Sequence, residues 1–165
     1  MVEVRVKAYG QTAIRRRLVR ATFAVADHHD GLERAARLIE HQIRANFNLQ
    51  GTASGPRWKD LAPSTREQKR RSLNARTRAN ADRVLRASDR LMRSFRPGSP
   101  DAIRVLTATL LELGSRVPYG KYHTGTAPRT VIPYRPFNRL SPRTKRRVVQ
   151  EMQREMFNNV RGRAA

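Results

Sequence analysis

Leu32, Ala35, Ala36, Ile39, Ile43 and Phe47 recur at steps of three and four residues, the period that places side chains on one face of an α-helix. The opposite face carries Glu33, Arg34, Arg37, Glu40 and Arg44. A helix that starts after the break at His28-His29-Asp30-Gly31 and ends near Leu49 is about 27 Å long at the usual rise per residue. An apolar stripe of that length is enough to span a small sheet. The rest of the chain has to supply it.

Upstream, Val2, Val4 and Val6 alternate with Glu3, Arg5 and Lys7, which predicts a short strand with one buried face. Tyr9-Gly10-Gln11 turns the chain, and a first helix is expected over 12–26, with Ile14, Leu18, Ala21 or Thr22, and Val25 at helical spacing. Two N-terminal helices therefore occupy 12–49. A small-residue loop, 50–55, leads into the stretch 55–71, which holds the only tryptophan, Trp58. An indole between Arg57 and Lys59 is either a plug on a core or an exposed contact; the apolar area it brings favours burial. Pro63 fits just before a helix, with Ser64 as N-cap and Glu67 completing a capping box. That helix is nearly all polar over 64–82, with Leu73 its one large apolar side chain. It either projects from the body or orders only on binding.

Val84, Leu85, Leu91, Met92 and Phe95 restore an apolar pattern, with Ser88 the expected cap of a short helix, closed by Pro97-Gly98-Ser99-Pro100. The part 102–137 is rich in β signals. Strands are expected over 102–107 and 109–114, separated only by Ala108, and again over 130–132. Tyr122 to Thr126 form an aromatic turn or short helix, and Tyr134-Arg135-Pro136-Phe137 an extended segment. Ser141 is an N-cap with Pro142 at the first helical position. The last helix runs over 142–160, with Val148, Val149, Met152, Met156 and Val160 on one face. The expectation is a single α+β domain over 1–165: a small antiparallel sheet packed against several helices, two of them N-terminal and one a long C-terminal helix.

Charge narrows the function. Lys plus Arg number 35 against 13 Asp plus Glu, a formal net charge of +22. A chain this basic meets a polyanion or sits in an assembly beside acidic neighbours. It has no cysteine, which excludes disulfides, thiolate metal sites and Cys nucleophiles. The first residues do not form a signal peptide's apolar core, and no apolar run approaches the roughly 18 residues of a membrane span. Synthesis and residence in a cytoplasm are expected, with no membrane contact.

Catalytic groupings are missing from the pattern. His28 and His29 are adjacent and His41 is off the usual metal-ligand spacings, and no HExxH, GxSxG or phosphate-binding glycine loop occurs. Ser54 lies in a flexible loop without a strand-to-helix elbow. His123 is the best site candidate, although a hydrogen-bonded turn histidine is the commoner role. The chain reads as a non-enzyme that needs no cofactor.

Two basic clusters are the candidate contacts with DNA or an acidic partner. Between Arg57 and Arg96 there are 13 Lys or Arg and 4 acids, and Lys69, Arg70, Arg71, Arg76 and Arg78 stand out. Arg143, Lys145, Arg146 and Arg147 fill the first turns of the last helix, where positive charge opposes the helix dipole by a few tenths of a kcal/mol each. Either cluster can also be a solvated face. Aromatics that could stack on bases are few and lie in turns, so contact with phosphates fits better than base reading.

Five pieces in order carry a resemblance. They are Phe47 with Arg57-Trp58-Lys59-Asp60-Leu61-Ala62-Pro63-Ser64-Thr65 and Lys69-Arg70-Arg71; Val84 to Leu91 with Ser94-Phe95; Tyr119-Gly120-Lys121-Tyr122-His123-Thr124-Gly125; Ile132-Pro133-Tyr134-Arg135-Pro136-Phe137; and Leu140-Ser141 entering the terminal helix. Over about 100 residues this series resembles the phage virion morphogenesis family, the tail completion proteins of tailed phages and prophages. Three departures stand out. Ser88-Asp89 replaces a segment that commonly has Gly, Thr124-Gly125 stands where Gln-Phe is common, and Asp60 replaces the usual Pro. The resemblance implies an α+β virion protein, assembled in the host cytoplasm, that forms a homo-oligomeric ring, hexameric in the family, at the neck or tail end. It implies other neck, head-completion or tail-terminator proteins as partners, with packaged DNA reached through phosphates. Trp58, Tyr119, Tyr122, His123, Arg135 and Phe137 are then fold or subunit-contact residues. The competing expectation is a sequence-independent nucleic-acid-binding protein of another class.

Overall fold

The structure, a computed structural model, describes residues 28–125 and 132–162, with side chains as far as residue 158. The strand expected at Val2–Val6, the helix expected over 12–26 and residues Thr130 and Val131 lie outside the described residues; Ile132 is in no strand. Helices α1 (His29–Asn48), α2 (Pro63–Arg70), α3 (Ala75–Ala79) and α4 (Arg90–Arg93) precede strands β1 (Ala102–Leu106) and β2 (Leu111–Ser115). A 3-10 turn (Pro118–Gly120), α5 (Lys121–Thr124) and the long α6 (Pro142–Gly162) follow. The fold class is α+β, and among the described residues the sheet is one antiparallel pair with Ala102 opposite Ser115 and Leu106 opposite Leu111. No helix among the described residues is long and apolar enough to cross a membrane.

The stripe on α1 is covered from two sides, by α6 along its length and by the β1–β2 pair. Ala35, Ala36, Ile43 and Phe47 are buried, and so are two polar residues the stripe did not announce, Gln42 and Asn46. The Asn46 amide donates to the carbonyls of Phe137 and Arg139, both at 2.8 Å. Thr144 Oγ1 donates to Gln42 Oε1 at 2.6 Å. These bonds pin the chain entering α6 onto the C-terminal half of α1. Ser141 caps α6 as its sequence predicts, accepting the Thr144 N–H at 3.1 Å.

The face of α6 departs from expectation. Val148 and Met152 are half-buried, but Val149 and Met156 are exposed, and the Val160 side chain lies outside the described residues. Charge takes their place: Arg34 on α1 pairs with Glu151 at 3.0 Å and with Glu155. Gly31 lets the helices approach, since a Cβ there would stand 2.9 Å from Glu155 Cβ.

The core is one cluster of Ile43, Phe47, Trp58, Val84, Leu91, Met92, Val117 and Phe137. Phe47 stacks on Phe137 at 5.5 Å between ring centroids and meets Trp58 edge-on at 5.9 Å. Phe95 closes on Phe137 at 5.6 Å. Behind α1 the chain turns through two left-handed residues, Gln50 and Gly51. The Gly51 N–H reaches back to the Asn46 carbonyl, which is the Schellman way of ending a helix.

The polar stretch 64–82 is neither one helix nor a projection. Helix α2 begins at Pro63, with Ala62 in the cap position and no side-chain cap bond. Proline needs no N–H partner at the first helical position and holds the residue before it extended. The expected Ser64–Glu67 box is therefore not formed, and Glu67 accepts from Arg71 at 2.8 Å. With almost nothing apolar to bury, the helix stops at Arg70, and Asn74 opens α3 by accepting the Thr77 N–H at 3.1 Å. Leu73 is fully in solvent.

A polar clamp folds the loop back. Lys69 Nζ donates to the carbonyls of Asn80 at 2.5 Å, Arg83 at 2.7 Å and Arg86 at 3.1 Å. Burial pulls the Lys69 pKa down, with Asp82 and Asp89 opposing. Lys69→Met should lower stability by about 1–2 kcal/mol, because an ionised donor to three partly sheltered carbonyls is lost. It should also speed tryptic cleavage between Arg70 and Arg86 several-fold. Unchanged cleavage and melting temperature would mean the clamp is idle.

The cap of α4 is Asp89, in the left-handed region at φ 62°, and not Ser88, whose hydroxyl accepts the Arg90 N–H at 3.4 Å. The hairpin loop is longer than the single Ala108 expected. Residues 107–110 form it, with Thr107 Oγ1 accepting the Leu110 N–H at 3.0 Å, and Leu110 is exposed at its tip instead of in a strand.

Candidate polyanion interface

The first turns of α6 carry Arg143, Lys145, Arg146 and Arg147, all exposed. None of the four has a side-chain ion pair or hydrogen bond among the described residues. Arg143, Arg146 and Arg147 share a helical face, being three and four apart. Their backbone is rigidly held through Ser141, Thr144 and Gln42, so the cluster is a fixed cationic ridge on a firm base. Among the described residues no carboxylate forms an ion pair with any of the four.

The second cluster is different. Lys69 is consumed by the clamp and cannot reach a partner without releasing three carbonyls. Arg70 pairs with Asp82 at 3.2 Å and Arg71 with Glu67 at 2.8 Å. Both are exposed pairs, which are worth about 0–1 kcal/mol and exchange readily for a phosphate. Arg78 donates to the carbonyls of Ser72 at 2.7 Å and Leu73 at 2.9 Å, closing the turn before α3. Arg76 is exposed without a hydrogen bond or ion pair among the described residues, though its charge is felt by Asp89. Of the five, Arg70, Arg71 and Arg76 remain available to an anion.

Trp58, Arg135 and Phe137 come together in the core. Trp58 is 5% and Phe137 5% exposed. The buried Arg135 guanidinium donates to the Lys59 carbonyl at 2.9 and 3.2 Å and to the Asp60 carbonyl at 3.3 Å. Its partners are thus backbone carbonyls, neither a carboxylate nor an aromatic face; burial lowers its pKa and the nearby Asp60 charge opposes. His123 is half-buried in α5, and its carbonyl accepts the Arg135 N–H at 2.9 Å. Tyr119 and Tyr122 are 41% and 50% exposed, with Lys121 Nζ lying 5.3 Å from the centre of the Tyr122 ring. Burial raises the Tyr119 pKa, and the charge of Arg90 works against it. Among the described residues no group of three or more His, Asp or Glu could hold a metal ion.

Arg139 is a basic residue the sequence reading passed over. Its guanidinium lies against Gly55, where a Cβ would stand 2.8 Å from Nη1. The small residues of the 50–55 loop were the only signal for it.

Fold and surface together define an α+β protein with a rigid aromatic core and a strongly basic exterior. Compared with protein-family models, curated proteins and solved structures, the chain has no significant match in any of the three.

Proposed function

We propose that this protein is a structural component of a tailed-phage particle, located at the neck or tail end. Copies associate into a ring, six in the resembling family, that completes the tail and joins it to the head beside the DNA path. The role is mechanical, without a catalytic step or cofactor. One observation carries the reading: the motif pieces that resemble tail completion proteins pack on each other. Trp58 and Phe137 both contact Phe47, Phe95 closes on Phe137, and Arg135 holds the carbonyls of Lys59 and Asp60. A departure supports it too. Where the family commonly has glycine, Asp89 takes φ 62°, a conformation glycine enters freely and Asp tolerates. Tyr119, Tyr122 and Leu110 are exposed and supply apolar area for contacts between copies or with other neck proteins. Imaging and mass spectrometry of purified particles test the reading. Absence from particles, together with a strict monomer in solution, would overturn it.

The alternative, a sequence-independent nucleic-acid-binding protein of another class, draws on the unpaired ridge of α6 and the +22 charge. The isolated protein should then bind duplex and single strands, with log K falling linearly against log salt. Replacing Arg143, Arg146 and Arg147 by Ala should weaken binding alike for all sequences and flatten the salt slope by about 2–3. Fluorescence anisotropy measures both. No salt-sensitive binding at about 50 mM salt would end this reading.

A further inference from the structure

A small cleft opens beside the only tryptophan, where the basic run that begins at Arg57 starts. Its volume is about 90 Å³, and Trp58, Arg57, Lys59, Tyr134 and Arg139 line it together with the loop from Gly51 to Pro56. That is room for several waters, enough to seat one tetrahedral oxyanion. No carboxylate lines it; the nearest acid known to touch the group, Asp60, pairs loosely with Arg57 at 3.6 Å. The wall is built of donors. The Arg139 guanidinium is laid against Gly55 and has no hydrogen bond or ion pair among the described residues.

Trp58 adds the second, independent observation. It is 5% exposed, and its indole Nε1–H makes no hydrogen bond to a described residue. The edge carrying Nε1 faces Gly51, where a Cβ would stand 2.5 Å from Cδ1 and 2.6 Å from Nε1. Gly51 also has φ 94°, so a side chain is excluded there twice over and only backbone stands against this edge of the indole. Buried indole N–H groups ordinarily find an acceptor. Tyr134, 56% exposed, stands at the rim.

We propose that this cleft binds one backbone phosphate of a nucleic acid strand, with Trp58 Nε1–H and Arg139 as its inner donors and Arg57 and Lys59 at its mouth. The inference rests on the reading of the protein as a phosphate-contacting one and locates a defined seat for one phosphate among otherwise diffuse contacts.

Because Trp58 is the only tryptophan, its emission reports the cleft directly. The full chain is titrated with a labelled single-stranded oligonucleotide, with inorganic phosphate and with polyglutamate, following Trp58 fluorescence and label anisotropy together. The expected result is a saturable Trp58 change that tracks oligonucleotide binding, a weaker change with phosphate, and little with polyglutamate. Arg139→Ala should raise the apparent Kd for the oligonucleotide about tenfold, the scale of one lost charged hydrogen bond, with an unchanged melting temperature. Arg37→Ala, on the outer face of α1 where it pairs with Glu33, should leave the Trp58 response intact. Binding seen by anisotropy without any Trp58 change, or an Arg139→Ala protein that binds like the parent, overturns the cleft and leaves the broader reading standing. Absence of all oligonucleotide binding overturns both. A Trp58 response to inorganic phosphate alone makes it a free-anion site, and an equal response to polyglutamate makes it a carboxylate site; either result overturns the proposal.

Discussion

Trp58→Ala will lower the unfolding free energy by about 3–5 kcal/mol, the range for truncating a buried aromatic without collapse of the site. Three features place it in that range. The indole is 5% exposed and meets Phe47 edge-on, and Phe47 is itself 0% exposed and stacked on Phe137. Gly51 cannot move in to fill the hole, because its left-handed turn is fixed by the bond to the Asn46 carbonyl. The Lys59 and Asp60 carbonyls that Arg135 holds belong to the same segment, so loosening it also strands a buried guanidinium. Trp58→Phe should recover more than half of the loss. Urea unfolding followed by far-ultraviolet circular dichroism measures this, with the midpoint shifting and the slope constant. A cost below about 1 kcal/mol would show that Trp58 does not anchor this core.

Asp89→Ala is expected to cost about 3 kcal/mol and to change the acid limb of stability. Its carboxylate is bound by Arg86 at 2.8 and 3.2 Å and by the Asn80 amide at 3.3 Å, with side-chain exposures of 8% for Asp89 and 13% for Arg86. Removing one partner of so sheltered a pair leaves a charge without compensation, which is why the loss is large. Burial by itself raises the Asp89 pKa, but the hydrogen bond and charge of Arg86, with Asn80, outweigh it and hold the carboxyl below its usual value. A carboxyl whose pKa is depressed by folding contributes stability above its unfolded pKa of about 4 and loses it as pH falls through the folded pKa. The parent protein should therefore lose stability more steeply than Asp89→Ala below about pH 4. Backbone geometry adds an ordering. At φ 62° alanine is strained by roughly 1–2 kcal/mol whereas glycine and asparagine are tolerated, so Asn should be mildest, Gly next and Ala worst. Equal slopes in acid for parent and Asp89→Ala would remove the pair from the account.

The region around Asp89 also shows where sequence reasoning stops. The stretch 64–82 has no apolar period, and an aperiodic polar run leaves a free helix and an induced one equally open. What organises it is polar and distant: the Lys69 ammonium on three carbonyls, the Arg86–Asp89–Asn80 knot, and Gln50 Oε1 accepting the Val84 N–H at 2.7 Å. The Lys69 bonds leave no mark in hydropathy because their acceptors are backbone carbonyls common to every residue. The same reason hid Asn46 and Arg135, whose amide and guanidinium donate to carbonyls 75 or more positions away in the chain. Lys69 illustrates the cost for the site: in sequence it belongs to a basic run with Arg70 and Arg71, yet its charge is spent inside the fold.

Residue order alone determined the amphipathic helix through Phe47, the capped entry of the last helix at Ser141, the pairing of two β segments and the large excess of positive charge. Each follows from a local rule, a period of 3.6 or 2 or a cap within one turn, and local rules survive without coordinates. The tertiary structure decided which cations stay free, how a polar stretch is held, and that Trp58, Arg139 and Gly51 meet around one cleft. Those outcomes depend on which backbone carbonyls and glycines come within hydrogen-bond or contact distance after folding, a property of the packed chain that no stretch of it carries alone.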